Sequence, residues 1–185
     1  FSLPNLSLYG SHTRVFSNTV YNNNIRNFSS PSNVVAFVPQ WTGLMVMANE
    51  FVEIFDNKVS ASDTVNMLVV SYHMTGKPIN DPKYRTFSQN IYIHDNNFSY
   101  SGISPKGGSA EASKAQIEAL KIMIGQTFPN TVYDGFGEGE DKNNSRNICL
   151  SGSSTQSFIN LDFEHEFENV RRDVNDGNPV LIFCE

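Results

Sequence analysis

Cysteine, tryptophan and basic residues are all scarce here: the 185 residues hold two Cys, one Trp and thirteen Lys and Arg. Against nineteen Asp and Glu those thirteen leave a net charge of -6, with a pI near 5.2. That is the wrong sign for holding nucleic acid or anionic lipid by charge, so both drop out as partners. The longest apolar runs, Val34 to Val38 and Val180 to Cys184, fall far short of the roughly 20 residues that a membrane span requires. No basic flank precedes Phe1 to Tyr9, and Pro4 and Asn5 interrupt it, so no signal peptide is visible. The start reads as a processed or trimmed end, residues 1 to 13 as an irregular N-terminal segment, and Gly10-Ser11-His12 as similar to vector-derived residues. Neither an internal repeat nor a low-complexity linker stands out.

What is present describes one globular domain, residues 1 to 185. Hydrophobic residues make up 39% and charged residues 17%, with 14 Phe and 7 Tyr. A chain of this size buries roughly 70% of the surface it exposes when unfolded, and the composition excludes disordered, collagen-like and coiled-coil classes. Cys149 and Cys184 have two readings, a pair of unrelated buried thiols or one disulfide. Abundant Asn, Ser and aromatic residues lean towards export and the disulfide, which would close a loop of about 36 residues worth roughly 4 kcal/mol.

Element signals alternate between helix and strand. Arg14 to Ser32 is rich in Asn and Ser and reads as irregular, and Val34 to Val38 as a short strand. From Thr42 to Asn57 the apolar residues Met45, Met47, Ala48, Phe51, Val52, Ile54 and Phe55 fall at three- and four-residue spacings, which predicts a helix. Val65 to His73 is β-branched and reads as a strand. Asn90 to His94 and Phe98 to Ile103 alternate about Asp95-Asn96-Asn97, the pattern of a hairpin. Ser109 to Gly125 predicts a capped helix, and Thr131 to Tyr133 a strand. Asn160 to Gly177 has two readings: the alternation from Leu161 to Glu168 suits a strand with an acidic outer face, and the order of charge, acids first and Arg171-Arg172 last, favours a helix through its dipole. Pro179 to Cys184 reads as a strand buried on both faces.

Chemistry-bearing motifs are mostly missing. Gly76-Lys77-Pro78 has Pro where a phosphate loop needs Ser or Thr. The loop Asp134 to Asp141 is glycine-rich but too acidic for phosphate and lacks calcium-loop spacing. Ser151-Gly152-Ser153 is not a nucleophile elbow, and neither cysteine has a neighbouring His. His12, His73, His94 and His165 are scattered singly. The four Asn-x-Ser sequons reflect an Asn- and Ser-rich composition. The expectation is a protein that is not an enzyme, with no cofactor, no metal and no catalytic residues.

From Phe87 onward the order of pieces resembles the globular head of a type IV pilin, of the type IVb kind. The residues that carry it are Asn96-Asn97-Phe98-Ser99-Tyr100-Ser101-Gly102-Ile103, then Ser113-Lys114-Ala115-Gln116-Ile117, Gly125-Gln126-Thr127-Phe128 and Thr131-Val132-Tyr133. The resemblance implies an α+β fold with an antiparallel sheet packed on helices, a central C-terminal strand and a C-terminal disulfide loop bounded by Cys149 and Cys184. It implies a head lacking the N-terminal assembly helix, from a major or minor pilin. Such a subunit reaches a bacterial surface filament via the periplasm and serves adhesion, aggregation or pilus assembly. Its partners would be other pilin subunits, a secreted or surface protein, or a host receptor or glycan. Two other readings stand beside it. One is a secreted carbohydrate- or receptor-binding module with Trp41, Tyr84 or Tyr133 as stacking platforms. The other is a metal-assisted hydrolase centred on His165 with Asp162, Glu164, Glu166 and Glu168.

Overall fold

The computed structural model describes residues 1–136, 147–151 and 157–172. The backbone winds in coils, and each strand bonds to the corresponding strand of the next coil rather than to its neighbour in sequence. The first coil lays down β1 (Ser11–Phe16), β2 (Thr19–Tyr21) and β3 (Thr42–Met47). The second gives β4 (Glu50–Phe55), β5 (Lys58–Ser60) and β6 (Val65–Val70), and the third β7 (Gln89–His94), β8 (Asn97–Ser99) and β9 (Thr131–Tyr133). The fourth supplies β10 (Ile148–Ser151) and β11 (Phe158–Asn160).

Three parallel sheets result, ordered β1-β4-β7-β10, β2-β5-β8 and β3-β6-β9-β11, with a two-residue β12 (Arg171–Arg172) antiparallel on β11. This is a parallel β-solenoid. The antiparallel sheet packed on helices that the sequence led us to expect does not form. All the coil-to-coil ladders are parallel, and α1 (Glu111–Ile124) is the one α-helix among the described residues. The strand expected at Pro179 to Cys184, and with it the far end of the disulfide loop, lies outside the described residues.

Each of the first three coils turns the corner between its first two strands on an asparagine. Asn57 Nδ2 donates to Val15 O, to Phe55 O and to Asn96 Oδ1, each at 2.9 Å, while Asn57 Oδ1 accepts from Asn18 N at 3.1 Å and Asn18 Nδ2 at 3.0 Å. Asn96 Nδ2 donates in turn to Ile54 O and His94 O, both at 2.8 Å. The three asparagines are 39 residues apart. Around them Val15-Phe16-Ser17-Asn18-Thr19-Val20, Ile54-Phe55-Asp56-Asn57-Lys58-Val59 and Ile93-His94-Asp95-Asn96-Asn97-Phe98 form a repeat that composition alone conceals. The residue before each asparagine, Ser17, Asp56 or Asp95, adopts φ between 52° and 56°, and the next corner repeats this at Asn22, Ala61 and Tyr100. Left-handed backbone at a non-glycine residue costs about 1 kcal/mol or more. The asparagine bonds, formed in a dry corner, offset it.

The core has two layers. Inside the solenoid, Val15, Val52, Ile54, Ile91, Ile93, Leu150 and Phe98 meet Leu44, Val46, Met67, Val69, Tyr133 and Phe158. On the outer face of the third sheet, Met47, Leu68, Val70, Val132, Ile159 and Leu161 pack under Ile117, Leu120 and Ile124 of α1. The expected helix at Ser109 to Gly125 is therefore α1, although its N-cap is Ala110 and Ser109 Oγ donates instead to Ser29 O. Gly102 lets the chain depart for this excursion. Its φ is +70°, and a Cβ there would lie 2.0 Å from Phe128 O.

Double burial explains the misread segment Thr42 to Asn57, which is not a helix but β3 and β4. Leu44 and Val46 face the interior while Met45 and Met47 face α1, so β3 is apolar on both sides, and Ala48 at φ +49° turns the chain into β4. Val34–Phe37 is a 3-10 helix rather than a strand, capped by Asn33. Arg14 to Ser32, expected to be irregular, contains half of β1 and all of β2. The supposed hairpin at Asn90 to Ile103 supplies two true strands, but they belong to different sheets. In Asn160 to Gly177 the described part holds a three-residue 3-10 turn, Phe163–His165, and β12. The N-terminal segment is not loose: Ser2 is buried, and Tyr9 OH donates to Asp81 Oδ2 at 2.6 Å.

Removing a central rung should therefore cost more than removing the end one. We expect Asn57→Ala to destabilise by about 2–4 kcal/mol and Asn18→Ala, whose side chain lies at the exposed end of the ladder, by about 1 kcal/mol. Urea unfolding of both variants with an unchanged m checks this, and equal losses would deny the ladder its role.

Candidate binding face

Among the described residues no helix packs on the outer face of the first sheet, which carries its side chains in register. Arg14, Glu53, Tyr92 and Cys149 are stacked partners, as are Phe16, Phe55, His94 and Ser151. Strand alternation puts these rows outward because Val15, Ile54, Ile93 and Leu150 between them point into the core.

Charge and ring contacts tie the rows together. Arg14 Nε lies 2.6 Å from Glu53 Oε2, and its guanidinium sits 4.9 Å from the centre of the Phe55 ring. His94 bridges two carboxylates, with Nε2 at 3.3 Å from Glu53 Oε1 and Nδ1 at 2.8 Å from Asp95 Oδ2. Its ring is stacked between Phe55 at 5.2 Å and Tyr92 at 4.0 Å, and Phe55 stacks in turn on Phe16 at 5.1 Å. Tyr92 OH reaches Ser151 Oγ at 3.2 Å. Beside this cluster Glu50 takes Gln89 Nε2 at 2.9 Å and Arg85 at 3.5 Å. The Arg14 hydrogen bond, assisted by His94, holds the Glu53 carboxyl below the ordinary range.

Two guanidiniums against three carboxylates make the strip slightly acidic, like the whole chain. Ring faces along it are occupied by one another, so it presents ring edges, hydroxyls and charged hydrogen-bonding groups. The exception is Phe16, half exposed at the end of its stack.

The residues singled out in the sequence lie elsewhere. Tyr84 and Tyr133 are no stacking platforms: both are buried, with their hydroxyls donating to Ser2 O at 2.7 Å and Phe136 O at 3.1 Å. Trp41 is half-buried, and the Lys106 ammonium covers its ring at 4.2 Å. His165 Nδ1 pairs with Asp162 Oδ1 at 2.7 Å, and Asp162 Oδ2 takes Asn169 N and Nδ2 at 3.0 and 2.9 Å. Among the described residues no three His, Cys, Asp or Glu side chains converge as a metal site. Cys149 is buried on β10, and Cys184 lies outside the described residues. Arg14, Glu53, Tyr92 and His94 went unremarked as a group because only the coil period brings them together.

A second polar centre is enclosed. Asp134, 1% exposed at the end of β9, accepts from Ser71 N at 2.6 Å and Phe136 N at 3.1 Å. Burial pushes its carboxyl up to about 6, against the pull of those bonds. Nearby His73 stacks on Phe136 at 4.3 Å, and desolvation pushes its imidazole down. Asp134 also edges a cavity of about 50 Å³ between α1 and the third sheet, lined by Met45, Met47, Leu68, Leu120 and Phe128. An apolar cavity of roughly 150 Å³ is what accommodates benzene, so this one is a packing void.

No protein family, curated protein or solved structure matches the chain.

Two measurements follow. With a folded value of about 6 against 3.8 in the open chain, Asp134 binds its proton more tightly when folded. Its contribution to stability is complete below the unfolded value and is lost as pH rises through 6, a swing of roughly 3 kcal/mol. His73 has the opposite sign, losing its contribution as pH falls below the ordinary imidazole range. Urea midpoints of the wild type and Asp134→Asn at pH 5 and 7.5 separate the two: the wild type should gain on the variant at pH 5, and parallel pH dependences would refute the shift. For the cysteines we expect a disulfide, read as no alkylation in the unreduced, denatured protein and two alkylations after reduction. Two alkylations without reduction would exclude it.

Proposed function

We propose that this chain is a non-catalytic, extracellular carbohydrate-binding module whose ligand lies along the outer face of the first sheet. The observation that carries this is the in-register strip of Arg14, Glu53, Tyr92 and His94, flat, hydrogen-bonding and slightly acidic. Stacked coils offer extended surfaces of this kind. Neutral polyhydroxylated chains match the mixture of donors and acceptors, whereas polyanions are disfavoured by the net charge of -6.

Binding rather than turnover suits the carboxylates. Glycoside hydrolysis needs two acids, one of them with its proton held at neutral pH. Here Glu53 is held ionised by Arg14 and His94, while Asp134, whose carboxyl is pushed up, is buried away from the strip. The filament-subunit resemblance implied an antiparallel sheet packed on helices, and three parallel sheets do not match that implication.

Titration calorimetry with neutral cello-, xylo- and chito-oligosaccharides tests the proposal. Charged hydrogen bonds contribute about 1.5–3 kcal/mol each, so Arg14→Ala should weaken binding roughly tenfold or more. Tyr92→Ala should also weaken it, and Lys121→Ala on α1 should have no effect. Absence of binding to the whole panel, or binding indifferent to Arg14 and Tyr92, would overturn the reading.

A further inference from the structure

All three strands of the first coil, β1, β2 and β3, are the end strands of their sheets, and the described chain places no strand over them as β12 lies over β11. Solenoids otherwise finish in a capping element, because a bare end exposes both strand edges and core. At this end Val15, Val20 and Leu44 are only partly buried, and Phe16 is 50% exposed.

The asparagine ladder has a direction that says what fits there. Each Oδ1 accepts from the coil before it: Asn96 Oδ1 from Asn57 N and Nδ2, and Asn57 Oδ1 from Asn18 N and Nδ2. Each Nδ2 also donates to a backbone carbonyl of the coil before, Asn96 to Ile54 O and Asn57 to Val15 O. Asn18 Oδ1 is the next acceptor in this series, and among the described residues no donor reaches it.

The N-terminal residues show where such a coil would join. Met47 and Val70 are register partners on β3 and β6, and Ala48 N donates to Val70 O at 3.0 Å. Ser2 N donates to Met47 O, also at 3.0 Å. Ser2 thus holds, one coil earlier, the place that Ala48 holds, and the same register would set the residue before it, Phe1, against Met47 as Met47 is set against Val70.

We propose that the first-coil end is a stacking site for one more parallel coil of the same repeat, delivered by polypeptide leading into Phe1. Its chemistry is set by the end it covers. An asparagine at the corner donates its backbone and side-chain N–H groups to Asn18 Oδ1, apolar residues cover Val15, Val20 and Leu44, and a ring or guanidinium covers Phe16. A second copy related by a two-fold axis is a poorer fit, because it would bring β1 antiparallel to its mate and reverse the corner.

Placing a copy of the second coil, Glu50 to Val70, directly ahead of Ser2 so that Val70 takes the place of Phe1 supplies the proposed occupant. The extended chain should unfold with a higher m and midpoint in urea. Amide exchange of Arg14 and Phe16, whose N–H groups alternate with that of Val15 and so face the open end, should slow on the order of tenfold or more. Replacing the added copy's ladder asparagine (N57A in that copy alone) should reverse most of the gain while the rest of the chain stays folded. An unchanged m, with protease trimming the added segment back to the parent chain, would overturn the proposal. So would a parent chain that sediments as a dimer which the extended chain does not form, because the site would then belong to a second copy.

Discussion

Asn57 is the point on which the coils depend. A parallel solenoid must turn the chain sharply at the same place in every coil, and each turn leaves backbone carbonyls facing inward with no strand partner. One buried amide side chain resolves this by bonding to Val15 O, Phe55 O and Asn96 Oδ1 while accepting from Asn18. No other residue type supplies two donors and an acceptor on so short an arm. Because the same bond joins one coil to the next, a single interaction sets both the local turn and the register of the stack. The left-handed residues at Ser17, Asp56 and Asp95 follow from the corner that it enforces.

Register in turn decides which surfaces remain available. Strand alternation divides each coil between the interior and an outer face, but the third sheet uses both sides, so β6 is buried at all six positions. Its outer face holds α1 and the N-terminal segment through Tyr72, Tyr84 and Phe128. Excursions between strands are thus concentrated on one flank. The first sheet, whose corner to the second sheet is the same two-residue step in each of the first three coils, has no helix on its outer face among the described residues. A surface on which Arg14, Glu53 and Tyr92 are forced into line by backbone pairing is preorganised, and little side-chain freedom is left to lose on binding.

Several elements were legible in the sequence. Val65 to Val70, Thr131 to Tyr133 and the helix ending at Gly125 declare themselves locally through β-branching, helical spacing and a stop signal. The arrangement did not, for a physical reason: what repeats is one short corner, and excursions interrupt the rest at different points in successive coils. Between β2 and β3 the first coil inserts the Val34–Phe37 turn, whereas the third inserts α1 between β8 and β9. The 39-residue spacing is therefore exact at Asn18, Asn57 and Asn96 and lost at the third strand. Asp95-Asn96-Asn97 shows the ambiguity in miniature, since turn residues between two alternating runs suit a hairpin and a solenoid corner equally well. Only the partners 39 residues away distinguish them. The binding strip was invisible for the same reason, its members being single residues drawn from separate coils.

Stacking and surface are then two expressions of one repeat. Each added coil lengthens the first sheet's outer face by about 4.8 Å and adds one side chain to each row. At the first-coil end the rows stop at Arg14 and Phe16, one with a largely exposed guanidinium and the other with a half-exposed ring. A coil set on that end would bury the free face of Phe16 and flank Arg14 on its second side. The terminal pair would then become interior members of the strip, as Glu53 and Phe55 already are. The physical requirement that completes the ladder is thus the same one that would extend the binding face.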